Sequence, residues 1–541
     1  MVGDARASTY VVYVPLDSSI YDELGTLNDL GYLRTYLPEI KPISRVEAAR
    51  LTLEAESYFE RAARPDPLAR SQLAALRLQL HEEIGWIEHN AEDDQPTMVQ
   101  PTQRVEAGYV FSSGPRRQWQ TGGNYGIEAQ EATPLLPDND NLPTAQGSNE
   151  VLRVEGWGGL GGFVTAYGEG AVAGPFTRSI PGVSRVRPLG SAVVVSLGNV
   201  ALSFGQEEMA WGVGYFGQLS QSANSQPFPA LRLQNIHPSY LPWFLRYLGP
   251  VRYQVFFGQL DGDRYFAHPW IDGEILSLKP LPDFEFGLIH TLDFGGRYNT
   301  DYSTAGFFAR AIAGQGSADN PNGGSNANSR GDVYLRFHFP RFRDMVLYQE
   351  ILGEDNLAYE IPGIGAVLPF LAVSYQGGFY LPRLTADGKT DLRFEYAILE
   401  PNYSVHSTSL YWTYENLLMG DWMGPDASVV DIQLGRWINL RRKLSLTAFY
   451  TERAPQWGAN TWYPTQTYGS PLSKEHSGGA ALDFLQLPSR LGTSGAVIGE
   501  VRARAALEYV NSMNFAPGAD TLRALVSLTV AFSPGWEPWS W

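Results

Sequence analysis

The residues whose types could carry chemistry are four acidic pairs: Glu207–Glu208, Glu354–Asp355, Asp138–Asp140 and Asp261–Asp263. Glycoside hydrolysis needs two carboxylates at a set separation across a cleft, one as acid and one as base or nucleophile. Neighbours on a strand point to opposite faces, so Glu207 and Glu208 share a cleft only if a bulge intervenes. The pairs read better as structural carboxylates bonded to arginine. Gly212 and Gly214 form only G-x-G, without the third glycine and strand-to-helix context of a dinucleotide site. Ser470 and Lys474 stand one residue too far apart for S-x-x-K. The histidines, His81, His89, His237, His268, His290, His338, His406 and His476, show no metal-ligand spacing. No metal site is expected from them. Cysteine is absent, which removes thiol nucleophiles, Cys-ligated zinc, iron–sulfur clusters and disulfides. No cofactor is expected beyond Ca2+ held weakly in Asp/Asn loops. The net charge of −17 argues against a nucleic-acid surface, which needs a basic footprint.

The elements that must position these residues change character near residue 100. Before it, "SSIYDELGTLNDLGYL" sets Ile20, Leu24 and Leu27 at helical spacing. "SRVEAARLTLEAESYFERA" opens with Ser44 and Glu47 as a capping box, and "DPLARSQLAALRLQLHEEIGWIEH" carries Pro67 at its start. The spacing predicts three amphipathic helices packed into a unit over 1–95. From about Arg104 the period becomes two. In "GDVYLRFHFP", Val333, Leu335, Phe337 and Phe339 oppose Tyr334, Arg336 and His338. "DLRFEYA" sets Leu392, Phe394 and Tyr396 against Arg393 and Glu395. "VRARAALEYV" sets Arg502, Arg504 and Glu508 against Val501, Leu507 and Tyr509. "TLRALVSLTVAF" lines Leu522, Val526, Leu528 and Phe532 on one face.

Long strands with charge on one face and apolar groups on the other fit a membrane barrel with a polar interior. No run of 18 apolar residues exists, so a spanning helix is not expected. Residues 96–541 hold roughly 16 to 20 tilted spanning strands with their connections. The stretches "ATPLLPDNDNLPTAQGSN" and "GQGSADNPNGGSNANSRG" read as loops. The tail "SPGWEPWSW" has three Trp that suit a membrane–water interface or periplasmic packing.

Three blocks carry a family resemblance. "GSAVVVSLGNVALSFGQEEMAWGVGYFGQLSQSANSQPFPALRL" resembles the hallmark region of the Wzi-type capsule assembly family. "LYQEILGEDNLAYEIP" with the two strands after it, and "GDWMGPDASVVDIQLGRW", resemble two further family segments. The opening helices match in type and order. Val213 and Ser225 depart from the family's usual Pro and Ala. The resemblance implies an outer-membrane barrel of about eighteen strands with a helical bundle at its periplasmic end. It also implies lectin-like attachment of capsular or other surface polysaccharide, without catalysis.

The start "MVGDARASTYVVYVP" shows no signal-peptide pattern, so the chain reads either as cytosolic or as processed. The resemblance implies the second. Sugar recognition uses aromatic faces against C–H surfaces, with amides, arginine and carboxylates on hydroxyls. The candidates within the matching blocks are Trp211, Tyr215, Asn224, Arg232, Tyr348, Glu350, Glu354 and Asp355. Two alternatives stand beside this reading: a porin-like channel or conduit sheath, and a helical unit that anchors peptidoglycan or an envelope assembly partner. Expected partners are polysaccharide and outer-membrane lipid. With −17 overall, an acidic glycan would need a local arginine patch or a bridging divalent cation.

Overall fold

The computed structural model describes the chain except residues 1–8, 92–94, 121–127, 137–143, 175–185, 265, 298, 300–326, 355–358, 362–364, 368–372, 401–402, 404, 407–409, 455–472, 491–496, 534–537 and 541. The period-two segments form a closed antiparallel barrel of 18 strands. Its strands are β1 (Met98–Ser113), β2 (Gly147–Leu160), β3 (Val164–Ala173), β4 (Ser191–Leu197), β5 (Val200–Gln206) and β6 (Pro229–Asn235). They continue as β7 (Pro250–Gln259), β8 (Trp270–Leu281), β9 (Phe284–Phe294), β10 (Ala327–Phe339), β11 (Met345–Glu354) and β12 (Val373–Leu381). The circuit completes with β13 (Thr390–Leu399), β14 (Ala427–Asn439), β15 (Arg442–Arg453), β16 (Glu475–Gln486), β17 (Val497–Asn511) and β18 (Thr521–Ser533). Closure comes from β1 pairing with β18, Val105 opposite Phe532 through Ser113 opposite Ala524. It leaves no sheet edge, as a lipid environment requires.

The alternation decides which face meets what. Leu507, Tyr509, Leu522, Val526 and Leu528 are exposed on the exterior, while Glu508 and Arg523 between them are buried in the lumen. Trp243, Phe244, Tyr247, Phe342 and Trp539 are exposed near the rim with short turns; Tyr450 and Tyr509 sit near the opposite rim. Two aromatic girdles around an apolar band are built to face lipid. The tail's Trp539–Ser540 extends the sheet by pairing with Val99 and Met98. Two expected loops are shorter than read. Ala327–Gly331 already pair with Phe294–His290, and Gly147–Asn149 with Ser112–Val110, because their small residues accept ladder geometry.

Among the described residues, the N-terminal region holds four helices rather than three: α1 (Ser19–Asp29), α2 (Arg45–Arg61), α3 (Pro67–Gln79) and α4 (His81–Glu88). Leu80 leaves helical geometry at φ −116°, ψ 22°, which splits the last predicted helix and brings Glu83 against Arg45. Ser18, Ser44 and Asp66 cap the first three helices by accepting from an early backbone N–H. Only half of the expected capping box forms. Ser44 Oγ accepts from Glu47 N at 3.1 Å, but the Glu47 carboxylate turns to Arg50 and to His237 on the β6–β7 connection. Burial pushes that carboxyl up, and Arg50 and His237 outweigh it, holding it at about 2.

The helical unit sits at the short-turn rim. Lys279 on β8 donates to Asn28 and to the Tyr36 carbonyl, Arg336 on β10 pairs with Asp29, and Arg383 after β12 pairs with Asp66 at 2.9 Å. The chain around it reaches into the lumen. Ser19 N donates to Glu500, Asp17 pairs with Arg104 at 3.1 Å, and Arg252 caps the Ile40 and Pro42 carbonyls. Ile40–Lys41 pair with Ala210–Trp211, joining this segment to the loop between β5 and β6. At that junction Trp211 is wholly buried against Ile40, Phe228, Phe256, Ile271 and Ile275, with its indole N–H on Gln254 at 2.6 Å. Trp211→Ala should destabilise the protein by about 3–5 kcal/mol through the cavity it leaves. Thermal unfolding in detergent reads that as a lowered Tm, and an unchanged Tm would remove this cluster from the fold's supports.

Candidate binding site

The segment 207–228 runs into the lumen instead of over the rim, and the lumen wall holds it by its backbone. Gly212 N donates to the Glu39 carbonyl at 3.1 Å, and Val213 N to Glu350 at 2.8 Å. Tyr215 N and Phe216 N donate to the two oxygens of Glu395 at 2.7 and 2.9 Å. Gln376 reaches the Gly217 carbonyl, Tyr403 the Leu219 carbonyl, and Arg330 and Trp412 the Ser220 carbonyl. Ser220 Oγ donates to Asp332 at 2.8 Å. A backbone without regular structure survives in a barrel only when its polar groups find partners like these. The glycines of the former G-x-G are what allow the approach. Gly212 has φ +122°, and a Cβ there would lie 2.5 Å from Glu350 Oε2.

Most of the sequence-derived candidates serve this plug. Glu350 is its acceptor, and Tyr348 donates from its hydroxyl to Glu395 at 2.7 Å. Arg232 is buried between Glu207, at 2.6 Å, and the Tyr13 ring, whose centroid lies 4.4 Å from the guanidinium. Trp211 is core. Tyr215 lies on the plug under the Arg393 guanidinium, 3.8 Å from its ring centroid, and keeps an exposed edge. Glu354 closes β11, and Asp355 lies outside the described residues. Asn224 stands apart from the rest: half-buried, it donates to the Gly420 carbonyl at 2.8 Å and borders an open cavity.

The other acidic pairs are equally occupied or beyond reach. Glu207 follows the end of β5, where Tyr167, Ser203 and Arg232 surround it. Glu208 accepts from Leu16 N at 3.4 Å. Asp261 accepts from Asp263 N and Glu415 N, as a turn carboxylate does. Asp138 and Asp140 lie outside the described residues.

Beside Asn224 lies an open cavity. It lies above the plug toward the long loops, against the wall formed by β14, β15 and β17. Trp119, Phe216, Trp422 and Phe449 give it aromatic surface; Asp431, Thr447, Arg504, Glu131 and Asn224 give it polar groups of both kinds. Its aromatics are set by separate segments. Trp119 is locked by its indole N–H on the Met423 carbonyl at 2.9 Å, with Arg453 4.8 Å from its ring centroid. Trp422 stays half-buried, with Arg117 5.8 Å from its ring centroid. Arg117 is itself clamped by Glu475 and Glu508 at 2.8 and 2.6 Å, so this floor is rigid. A mixed aromatic and polar lining suits a small-molecule or oligomer end. The sequence reading passed over Phe216 and Trp422, although both stand inside the matching blocks. Trp119 and Phe449 carried no local signal.

Comparison with known proteins decides the lineage. The family model of capsule assembly protein Wzi matches residues 116–485. The chain belongs to the Wzi capsule assembly family. The outer-membrane protein Wzi of Escherichia coli, a carbohydrate-binding β-barrel involved in group 1 capsule assembly, shares the fold at TM-score 0.63 and 19% identity. That alignment covers 96% of this chain and 98% of the other. An uncharacterized 55.8 kDa protein in the cps region of Klebsiella pneumoniae is 25% identical over 177 residues. That match takes in 32% of this chain and about a third (35%) of the relative's length. Pseudomonas aeruginosa OprD aligns at TM-score 0.45 and 10% identity, over 82% of this chain and 95% of the other.

Proposed function

We propose that this Wzi-family barrel sits in the bacterial outer membrane and binds capsular or other surface polysaccharide without catalysis, holding it at the cell surface. The observation that carries the reading is the cavity of Trp119, Phe216, Trp422, Phe449 and Asn224, which lies on the long-loop side of the plug. Pyranose rings offer an apolar C–H face that stacks on aromatic rings and a rim of hydroxyls that pair with amides, carboxylates and guanidinium groups. The carbohydrate binding of the Escherichia coli relative, on the same fold, supports the same ligand class here. Catalysis gains no such support. Glu207 is paired with Arg232 on the barrel wall, Glu208 holds the N-terminal segment and Glu350 holds the plug.

The balance of charge around the cavity shapes the ligand. Arg504 is paired with Asp483 at 2.9 Å and Glu131 with Arg523 at 2.6 Å, and Asp431 adds a further carboxylate, so a neutral or weakly acidic glycan fits better than a densely anionic one. The test is genetic. Deleting the gene from its native host should move surface polysaccharide from the cell-bound to the released fraction, and the full chain should restore it. Retention that is unaffected by the deletion would sink the proposal.

A further inference from the structure

A second site lies on the outside of the barrel, away from the plug and the cavity. On β8, Ile271 and Ile275 turn into the lumen, where they pack in the Trp211 cluster. Asp272 and Glu274 therefore project from the opposite, outer face. On β9, Ile289 joins the same lumenal cluster, so His290 projects outward too, and the register sets it directly opposite Glu274. One ligand atom from each of Asp272, Glu274 and His290 lies within 4.8 Å of the others. The Asp272 side chain is only 2% exposed, and neither of its oxygens has a hydrogen-bond partner. Burying an unpaired carboxylate is strongly unfavourable, so a proton or a cation must neutralise it.

We infer that Asp272, Glu274 and His290 bind a divalent metal ion of the Zn2+ class on the outer wall of the barrel, tying β8 to β9 near the long-loop rim. Two carboxylates and one imidazole make a mixed oxygen and nitrogen set, which suits Zn2+ better than Ca2+ or Mg2+, whose shells are all oxygen. Two negative charges cancel the ion's charge, leaving a neutral unit beside the buried Leu292 and Phe294. His290 is already oriented. Its Nδ1 lies 2.9 Å from Glu274 Oε2, and its Nε2 lies 3.1 Å from Ser329 Oγ. With Nε2 held by Ser329, the Nδ1 lone pair points at the carboxylates. A tetrahedral ion with bonds of about 2.0–2.1 Å separates its ligand atoms by roughly 3.3 Å, so His290 and Glu274 part by only about 0.4 Å to admit it. Water fills the fourth position. Glu274 and His290 keep 36% and 32% of their side chains exposed, which leaves a path in.

The test uses untagged full chain in detergent, stripped with EDTA and dialysed against Zn2+ or Ca2+. Elemental analysis should find about one equivalent of Zn2+ per chain, with ligands deprotonated on binding. Asp272→Asn and His290→Ala should each lower Zn2+ affinity by roughly ten-fold or more, whereas His89→Ala, on the helical unit, should bind as wild type does. Co2+ should replace Zn2+ and give visible bands of a four-coordinate ion in wild type, absent in His290→Ala. Wild-type protein that retains no Zn2+, or variants that retain as much as wild type, would overturn the site. Retention of Ca2+ alone would overturn its metal class.

Discussion

Glu395→Ala opens the barrel. In the wild type this carboxylate accepts from Tyr215 N, Phe216 N, the Tyr348 hydroxyl and the Gln376 amide, at 2.7, 2.9, 2.7 and 3.2 Å. Alanine takes the acceptor from the Tyr215 and Phe216 amides and the Tyr348 hydroxyl, at roughly 1–3 kcal/mol for each one left buried and unpaired, while the Gln376 amide keeps the Gly217 carbonyl. The plug segment has no ladder to fall back on, so it relieves the loss by leaving its seat. Planar-bilayer recordings should therefore show stable conductance steps for Glu395→Ala and none for the wild type. Glu395→Gln keeps one carbonyl acceptor but turns an amide against a donor, and its behaviour should lie between the two. If the alanine variant stays silent with an unaltered Tm, the wall carboxylates do not hold the plug.

Trp422→Ala removes polysaccharide affinity while sparing the barrel. Trp422 is half-buried and lends a face to the cavity, whereas the deeper contacts of the region run through Trp119, Met423 and Arg117. Aromatic residues at the centre of a recognition surface are worth about 2 kcal/mol when truncated, which is a drop of roughly 30-fold in affinity. Equilibrium binding of the purified surface polysaccharide reads the drop, and a Tm close to wild type shows that the fold is intact. Unchanged affinity would move the glycan away from this cavity.

The barrel was legible because period-two patterning is a local property. The outward set Leu522, Val526, Leu528 and Phe532 needed only adjacent residues to be recognised. The helices were legible through Ser44 and Pro67 for the same reason, while the break at Leu80 was not, because a helical pattern runs unbroken across it. The plug contacts are of another kind. Val213 meets Glu350 across 137 residues of sequence, and Tyr215 meets Glu395 across 180. No spacing rule links such positions, so the sequence does not mark Glu350 and Tyr348 as partners of the plug. The cavity draws its aromatics from separate segments, and among the described candidates only Asn224 borders it. The His290 cluster matches no helical spacing because its geometry belongs to a sheet: two acids at i and i+2 on β8, and a histidine supplied by strand pairing.

The central claim is that a plugged barrel holds glycan in an aromatic cavity and leaves it chemically unchanged. Titrating the full-length protein with purified surface polysaccharide from its native host, with chain length followed by size-exclusion chromatography, tests it most directly. Saturable binding with an unaltered polymer is the predicted result. An absence of binding, or a polymer that shortens during incubation, would contradict it.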